Sequence, residues 1–210
     1  MIRALRLTLP LIVALPAPAA GQAATADLRE LRAGVVASVA RRGATFAGAD
    51  GRGSGTLLGG EVRARFGLLA GVLRVSGGGV SPDSGTAAGG DIHRGDVDFM
   101  VGPPVIHGRI GYGRRVFTGA VGSRPWSSLR LGVASEVGLG SSGLQAGATA
   151  GLNLGLGDGN GGGREIETRL TWAPTHLPLW FAIGYGVERF TADERPETVA
   201  AVVLASGVRW

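Results

Sequence analysis

Hydrophobic residues alternate with small or polar residues over positions 144–157, with no exception in the whole stretch. Every even-numbered position is alanine or leucine, and every odd-numbered position is glycine, glutamine, threonine or asparagine. Side chains alternate between the two faces of a β-strand, whereas a helix would place its apolar residues three or four positions apart. The stretch therefore predicts a strand with one apolar face, and the chain must adopt a fold built from such strands.

The same period of two recurs along most of the chain, and clusters of glycine, proline and polar residues separate the repeats. Ten strands are predicted, at 33–47, 56–66, 68–76, 91–102, 105–118, 126–140, 144–157, 164–173, 179–190 and 198–210. Short turns alternate with longer connections, which are at 48–55, 77–90, 119–125, 158–163 and 191–197. Transmembrane barrels have even strand numbers, with short turns at one end and longer loops at the other. We predict an all-β fold, an antiparallel up-and-down transmembrane β-barrel of about ten strands, with eight strands as the alternative.

The charge composition argues against nucleic-acid binding. The 21 basic residues are all arginines, they face 16 acidic residues, and the formal net charge is only +5. No basic run is longer than two residues, as in Arg41-Arg42. The chain has no cysteine, which excludes disulfides, thiolate metal sites and attachment of lipid through an N-terminal cysteine. We expect no cofactor and no metal site.

The amino-terminal residues have the layout of a secretory signal peptide. Arg3 and Arg6 precede an apolar stretch at 7–15, and small residues follow. We predict a signal peptide at 1–23 and a barrel domain at 24–210. A membrane-anchoring helix is the alternative, but Pro10 and Pro16 interrupt a stretch that is already too short to span a bilayer. The layout therefore favours export.

The last predicted strand, 198–210, is long enough to cross a bilayer when tilted, and it ends on Trp210. Val202, Leu204 and Val208 share one face of this strand, while Arg209 falls on the other. A terminal aromatic residue that closes a membrane-length strand resembles the C-terminal signal of bacterial outer-membrane β-barrels. The resemblance implies that the barrel-assembly machinery inserts the chain into the outer-membrane lipid of a Gram-negative-type bacterium. It implies no particular activity.

Aromatic residues are sorted along the predicted strands by their distance from the turns. Those next to a short turn, next to a longer loop or at the terminus are predicted to form two interfacial girdles. The girdle and terminal residues are Phe66, Phe99, Trp126, Trp172, Trp180 and Trp210. A soluble sandwich or a lipocalin-like barrel would also explain the alternation, but neither has a reason to sort its aromatics in this way.

The face opposite the apolar one carries many charges, and we expect them to point into the barrel. The predicted lumen residues, seven basic and seven acidic, are Glu61, Arg63, Arg65, Arg74, Asp96, Asp98, Arg109, Arg115, Arg130, Glu136, Glu165, Glu167, Arg169 and Glu188. Tight turns at Gly67 and at Pro103-Pro104 would place Glu61 opposite Arg74 and Asp98 opposite Arg109. We predict an ion-paired, filled lumen, while the many inward glycines leave a narrow, porin-like pore as an alternative.

A structural or surface-interaction role is the predicted function, without enzymatic activity and with the external ligand left open. A hydrolase active at the barrel rim, omptin-like or lipid-modifying, is a further alternative. Ten-stranded outer-membrane proteases of the omptin family resemble this chain in strand number, and the resemblance implies acidic pairs and an Asp-His couple near the rim. Asp96 and Asp98 form the comparable inward acidic pair, and His93 with Asp91 is the best general-base candidate. Nothing specific supports either as catalytic.

Overall fold

The structure, a computed structural model, is a closed barrel of ten antiparallel strands that describes residues 28–46, 49–84, 89–103, 105–119, 122–157, 160–192 and 195–210. The strands are β1 Leu28–Phe46, β2 Ala49–Phe66, β3 Leu69–Ser84, β4 Gly90–Val101, β5 His107–Gly119, β6 Gly122–Gly138, β7 Leu144–Gly155, β8 Asn160–Trp172, β9 Leu179–Ala192 and β10 Arg195–Arg209. Each strand pairs with its neighbours in sequence, and β1 pairs with β10 to close the barrel. The predicted all-β, up-and-down architecture and its ten strands are confirmed. The predicted signal peptide lies outside the described residues.

Side-chain orientation follows the alternation in the sequence. Apolar side chains point outward and stay exposed around the whole barrel, as Leu58, Phe99, Ile110, Leu152, Ile166, Ile183 and Leu204 do. Most charged side chains of the strands point into the lumen together with many small ones, and most of these inward charges are buried or half-buried. None of the described residues lies in a helix long and apolar enough to cross a membrane. The barrel therefore has an apolar outer surface and a polar core, the reverse of a soluble protein.

Strand β1 begins and strand β10 ends at the same end of the barrel, which we call the terminal end. The opposite end is the distal end. The turn between β2 and β3 is at the terminal end, where Gly67 adopts a φ of +58° that favours glycine. This tight turn places Glu61 directly opposite Arg74, as predicted.

The prediction of longer connections at the distal end is wrong for most of their residues, which belong to strands instead. Positions 49–55 continue β2 and positions 77–84 continue β3, and these segments pair with each other, for example at Gly55 opposite Val80. The backbone ladder forms through N–H and C=O groups, which glycine carries as well as any other residue. Glycine-rich segments have little alternation, so the sequence pattern stops before the strands do.

The register between β4 and β5 also differs from the prediction. Asp98 lies opposite Gly111, and Arg109 lies opposite Met100. The connection between these strands is longer than a tight turn, since β4 ends at Val101 and β5 begins at His107. The partner of each residue therefore shifts by two positions. Because the side-chain period is two, Arg109 keeps its inward orientation.

Two of the predicted girdle residues face the lumen instead. Trp126 and Trp180 are each 1% exposed, whereas Phe66, Phe99, Trp172 and Trp210 are exposed. The distance of a residue from the turn predicts its level along the barrel axis but not its face, and Trp180 alternates with the outward Leu179 and Phe181. Its indole is accommodated because Gly34 has no side chain: a Cβ there would lie 2.6 Å from the ring. The Trp180 Nε1 also donates a hydrogen bond to the Val208 carbonyl oxygen at 3.2 Å.

Candidate functional site in the barrel lumen

The middle of the lumen holds a cluster of four arginines and four carboxylates. We define this central cluster as Arg94, Arg109, Arg115, Arg130, Asp96, Asp98, Glu165 and Glu188. Arg130 is 1% exposed and lies 2.9 Å from Asp96, 3.2 Å from Asp98 and 2.6 Å from Glu165. Arg115 lies 2.7 Å from Asp96 and 2.8 Å from Glu188. The charges of the cluster balance.

Most of these pairs join strands that are not neighbours. Arg115 on β5 reaches Glu188 on β9, and Arg130 on β6 reaches Glu165 on β8. Such contacts run across the lumen rather than along its wall, so the cluster occupies the part of the lumen that β4, β5, β6, β8 and β9 surround. Arg109 also contacts Asp98 at 2.9 Å, the predicted pair, although the two lie diagonally in the ladder.

Glycines on β5 make room for the cluster. A Cβ on Gly113 would lie 2.9 Å from the Asp96 Oδ1 and 3.1 Å from the Arg130 Cδ, closer than side chains normally approach. A Cβ on Gly111 would collide with the Asp98 side chain. The missing side chains on one strand therefore create the space that the arginines from other strands occupy.

A second group of four charges lies beside the central cluster, and we call it the quartet. It consists of Glu61, Arg74, Glu167 and Arg169. Arg74 donates to Glu61 at 2.6 Å and to Glu167 at 2.8 Å, and Arg169 donates to Glu61 at 2.7 Å. The contacts of Glu167 and Arg169 join β8 to β3 and β2 across the lumen, and the charges of the quartet balance.

Two cavities adjoin the quartet. One, of about 110 Å³, continues to an apolar wall of small residues on β9, β10 and β1, including Ala182, Ala201 and Val36. The other, of about 70 Å³, is lined by polar residues such as Gln145 and Thr149. All four quartet residues line both cavities. The quartet is therefore the partition between two spaces inside the barrel.

Further charged contacts flank these two groups. At the terminal end Arg63 pairs with Glu136, and Arg32 donates to the Gln145 side chain at 3.0 Å. At the distal end Arg42 lies 2.9 Å from Glu197. The sequence prediction omitted Arg32, Arg42, Arg94 and Glu197 from the lumen; Arg94 could have been found, because it shares the parity of Asp96 and Asp98.

The predicted lumen residues all lie on the inner face of the barrel, and every one except Arg65 has an ion-pair partner within 4 Å among the described residues. The distal end of the lumen is filled instead by stacked aromatic rings. The Trp126 and Phe190 ring centroids are 4.5 Å apart, those of Phe117 and Phe190 are 5.6 Å apart, and Arg42 lies over the Phe117 ring.

The residues considered for rim chemistry do not converge. His93 and Asp91 are exposed on the outer face of β4, and the His93 ring lies next to Gly77 of β3. Asp96 and Asp98 point into the lumen from the same strand and are paired with arginines. No group of three potential metal-ligating side chains occurs within the described ranges.

A closed barrel with an apolar exterior, a charged lumen and ten antiparallel strands defines the class of outer-membrane β-barrel proteins. No protein-family model matches the chain, and no curated protein matches it either.

Solved structures are similar to the chain in fold. The outer-membrane protease OmpT from Escherichia coli has a TM-score of 0.54 at 7% identity, over 89% of this chain and 97% of that one. The translocator domain of the autotransporter NalP from Neisseria meningitidis has a TM-score of 0.46 at 14% identity, over 86% and 88%. Neisserial surface protein A has a TM-score of 0.38 at 13% identity, over 84% and 95%. At these identities the likeness shows the fold alone, and OmpT, with the highest of the three TM-scores, is the structure that supports it.

Proposed function

We propose that the chain is exported by a signal peptide at 1–23 and resides in the outer membrane of a Gram-negative-type bacterium as a sealed barrel with a structural or surface-interaction role. The observation that supports this most is the distribution of side chains: exposed apolar residues surround a lumen of paired charges. An aqueous environment would penalise this outer surface, whereas lipid accommodates it. Closure of β1 onto β10 leaves no strand edge unpaired, as a bilayer requires.

The direction of the ion pairs supports a sealed lumen. Salt bridges from β5 to β9, from β6 to β8 and from β3 to β8 cross the interior, and stacked aromatics occupy its distal end. An ion passing through would have to separate buried pairs and leave their charges without partners in the interior of the barrel, which is unfavourable. We therefore expect a barrel that does not conduct in its resting state.

A test of membrane insertion uses the shift in gel mobility that folded barrels show on boiling. We expect the membrane fraction to contain a band that shifts on heating, and loss of Trp210 to reduce it if the assembly machinery reads the terminal aromatic. Trp210→Phe is the matched control, because it keeps an aromatic ring. A protein that stays soluble in the periplasm and shows no shift would overturn the proposal.

A narrow pore is the second candidate, and one observation favours it. The two cavities of about 110 and 70 Å³ meet at the quartet, so rearrangement of Arg74 and Glu167 would join them. Single-channel recording in planar bilayers separates the candidates. Steady conductance of the wild-type barrel would favour the pore, and a silent wild-type barrel would favour the sealed form.

We propose no enzymatic activity, because the candidate base and the acidic pair lie on opposite faces of β4. Incubation of the folded barrel with a panel of peptide and lipid ester substrates tests this. Hydrolysis by the wild type that is lost in His93→Ala would contradict the proposal and assign chemistry to the outer face.

A further inference from the structure

Two arginines lie directly opposite each other on the outer face of the barrel. Arg164 of β8 is the cross-strand partner of Arg189 of β9, and both side chains are exposed. Side chains directly opposite in an antiparallel ladder have Cβ atoms only about 5 Å apart, and like charges at such positions destabilise the sheet. Neither arginine has an ion-pair partner among the described residues, so no described side chain offsets this repulsion.

The same row of the ladder continues onto neighbouring strands. Arg189 lies opposite Thr198, which lies opposite Gly43, which in turn lies opposite Arg52. Arg41 is two residues before Gly43 on the same face of β1, and it and Arg52 are exposed. We call Arg41, Arg52, Arg164 and Arg189 the arginine row. Its described neighbours on this face are mostly uncharged; the exception is Asp83, whose carboxylate accepts a hydrogen bond from Ser54, the cross-strand partner of Arg41.

Along β8, β9 and β1 the arginine row lies at the distal border of the apolar surface. On the terminal side of Arg164 and Arg41, the next outward residues are Ile166 and Val39, each 61% exposed. Val187 has the same relation to Arg189. A molecule that contacts both the arginine row and these apolar residues needs an anionic group at the level of the arginines. It also needs hydrocarbon next to the apolar residues on the terminal side of the row. Guanidinium groups bind phosphate through paired hydrogen bonds.

We propose that the arginine row binds the phosphate groups of a lipid headgroup in the leaflet at the distal end, with the acyl chains against Ile166, Val187 and Val39. This inference rests on the proposed residence in the outer membrane, with both termini in the periplasm as in other barrels of this class; the distal end then lies in the outer leaflet, whose lipid is phosphorylated lipopolysaccharide. The headgroup phosphates neutralise the repulsion between Arg164 and Arg189. A free phosphate ion would match the arginines but not the adjoining apolar surface.

The test compares the folded full barrel in zwitterionic detergent micelles with and without lipopolysaccharide. Arg164→Gln/Arg189→Gln is the test variant. Arg29→Gln/Arg114→Gln is the matched control, since it also removes two positive charges from exposed arginines. Arg29 is at the terminal end, and the cross-strand partners of Arg114 are the uncharged Gly95 and Ser127. The measured quantities are the apparent Kd for fluorescent lipopolysaccharide and the temperature at which the folded band disappears from the gel.

We expect the test variant to bind lipopolysaccharide about thirtyfold more weakly, since each arginine near an anionic surface contributes about fivefold. The control should stay within about fivefold of the wild type. Without lipopolysaccharide the test variant should unfold at the same or a higher temperature than the wild type, because the repulsion is gone; with it, the order should reverse.

Equal affinities of the test and control variants would overturn the inference, as would equal protection of the wild type by inorganic phosphate alone. Each of these results counts only for a protein that is folded, as shown by a band that still shifts on boiling. Absence of any shift in the wild type would instead count against the proposed function, so the two failures can be told apart.

Discussion

Replacement of Arg130 by methionine is the most direct test of the central cluster. The Arg130 guanidinium donates hydrogen bonds to Asp98 and Glu165 and also lies 2.9 Å from Asp96. Methionine keeps an unbranched side chain of similar reach but removes the charge and every donor. The three carboxylates would then share the remaining arginines of the cluster, with one negative charge in excess.

The expected cost follows from these contacts. A hydrogen bond between charged groups contributes about 1.5 to 3 kcal/mol, and Arg130 bonds to two carboxylates, so about 3 to 6 kcal/mol is lost. Removal of one partner from a buried ion pair costs about 3 to 5 kcal/mol, which is the same range. We therefore expect Arg130→Met to lower the free energy of unfolding by about 3 to 5 kcal/mol.

Urea titration of the barrel refolded in phospholipid vesicles, followed by tryptophan fluorescence, measures this change. Arg65→Met is the matched control, because Arg65 also faces the lumen but has no ion-pair partner within the described part of the chain; its effect should stay below about 1 kcal/mol. The double variant Arg130→Met/Glu165→Gln restores the charge balance and should recover part of the loss. If Arg130→Met and Arg65→Met unfold at the same urea concentration, the central cluster does not stabilise the barrel as described.

Three further perturbations probe other parts of the molecule. Gly113→Val should destabilise the barrel by about 1 to 3 kcal/mol through overpacking against Asp96, whereas Gly95→Val, with no atom within 4 Å of its added Cβ, should not; urea midpoints compare them. Arg74→Ala/Glu167→Ala removes half of the quartet and should produce channel openings in planar bilayers, and a silent variant would show that loss of the partition does not open a continuous path through the lumen. Ile183→Arg places a charge on the apolar face and should cost about 2 to 4 kcal/mol in vesicles, a loss that would be absent if this face met water.

Much of the lumen could be predicted because a period of two assigns every residue of a strand to one of two faces. The alternation within β4 assigns Asp96 and Asp98 to the lumen, and the alternation within β8 assigns Glu165 and Glu167 to it in the same way. The pattern failed where both faces look alike. In β1 the face that carries Ser38 and Ala40 is about as apolar as the face that carries Val39. Nothing in the sequence therefore showed that Arg42 points inward.

The pairing of charges was harder to predict than their orientation. The partner of Glu61 was correct because the turn at Gly67 is tight, and local turn geometry determines register. The partners of Arg115 and Arg130 are on β9 and β8, far away in the sequence. Contacts across the lumen depend on the diameter of the closed barrel and on the side-chain lengths that fill it.

The amino-acid sequence alone determined the strand class, the number of strands and the inward face of most of the charged lumen residues, because these depend on alternation and on local turns. Only the tertiary structure decided where the strands end at the distal side, how the charges pair, that Trp126 and Trp180 fill the lumen, and that Arg164 meets Arg189 on the outer face. Register and barrel closure bring together residues that no local pattern relates. For this reason the architecture could be derived from the sequence, while the lumen contacts and the arginine row required the folded chain.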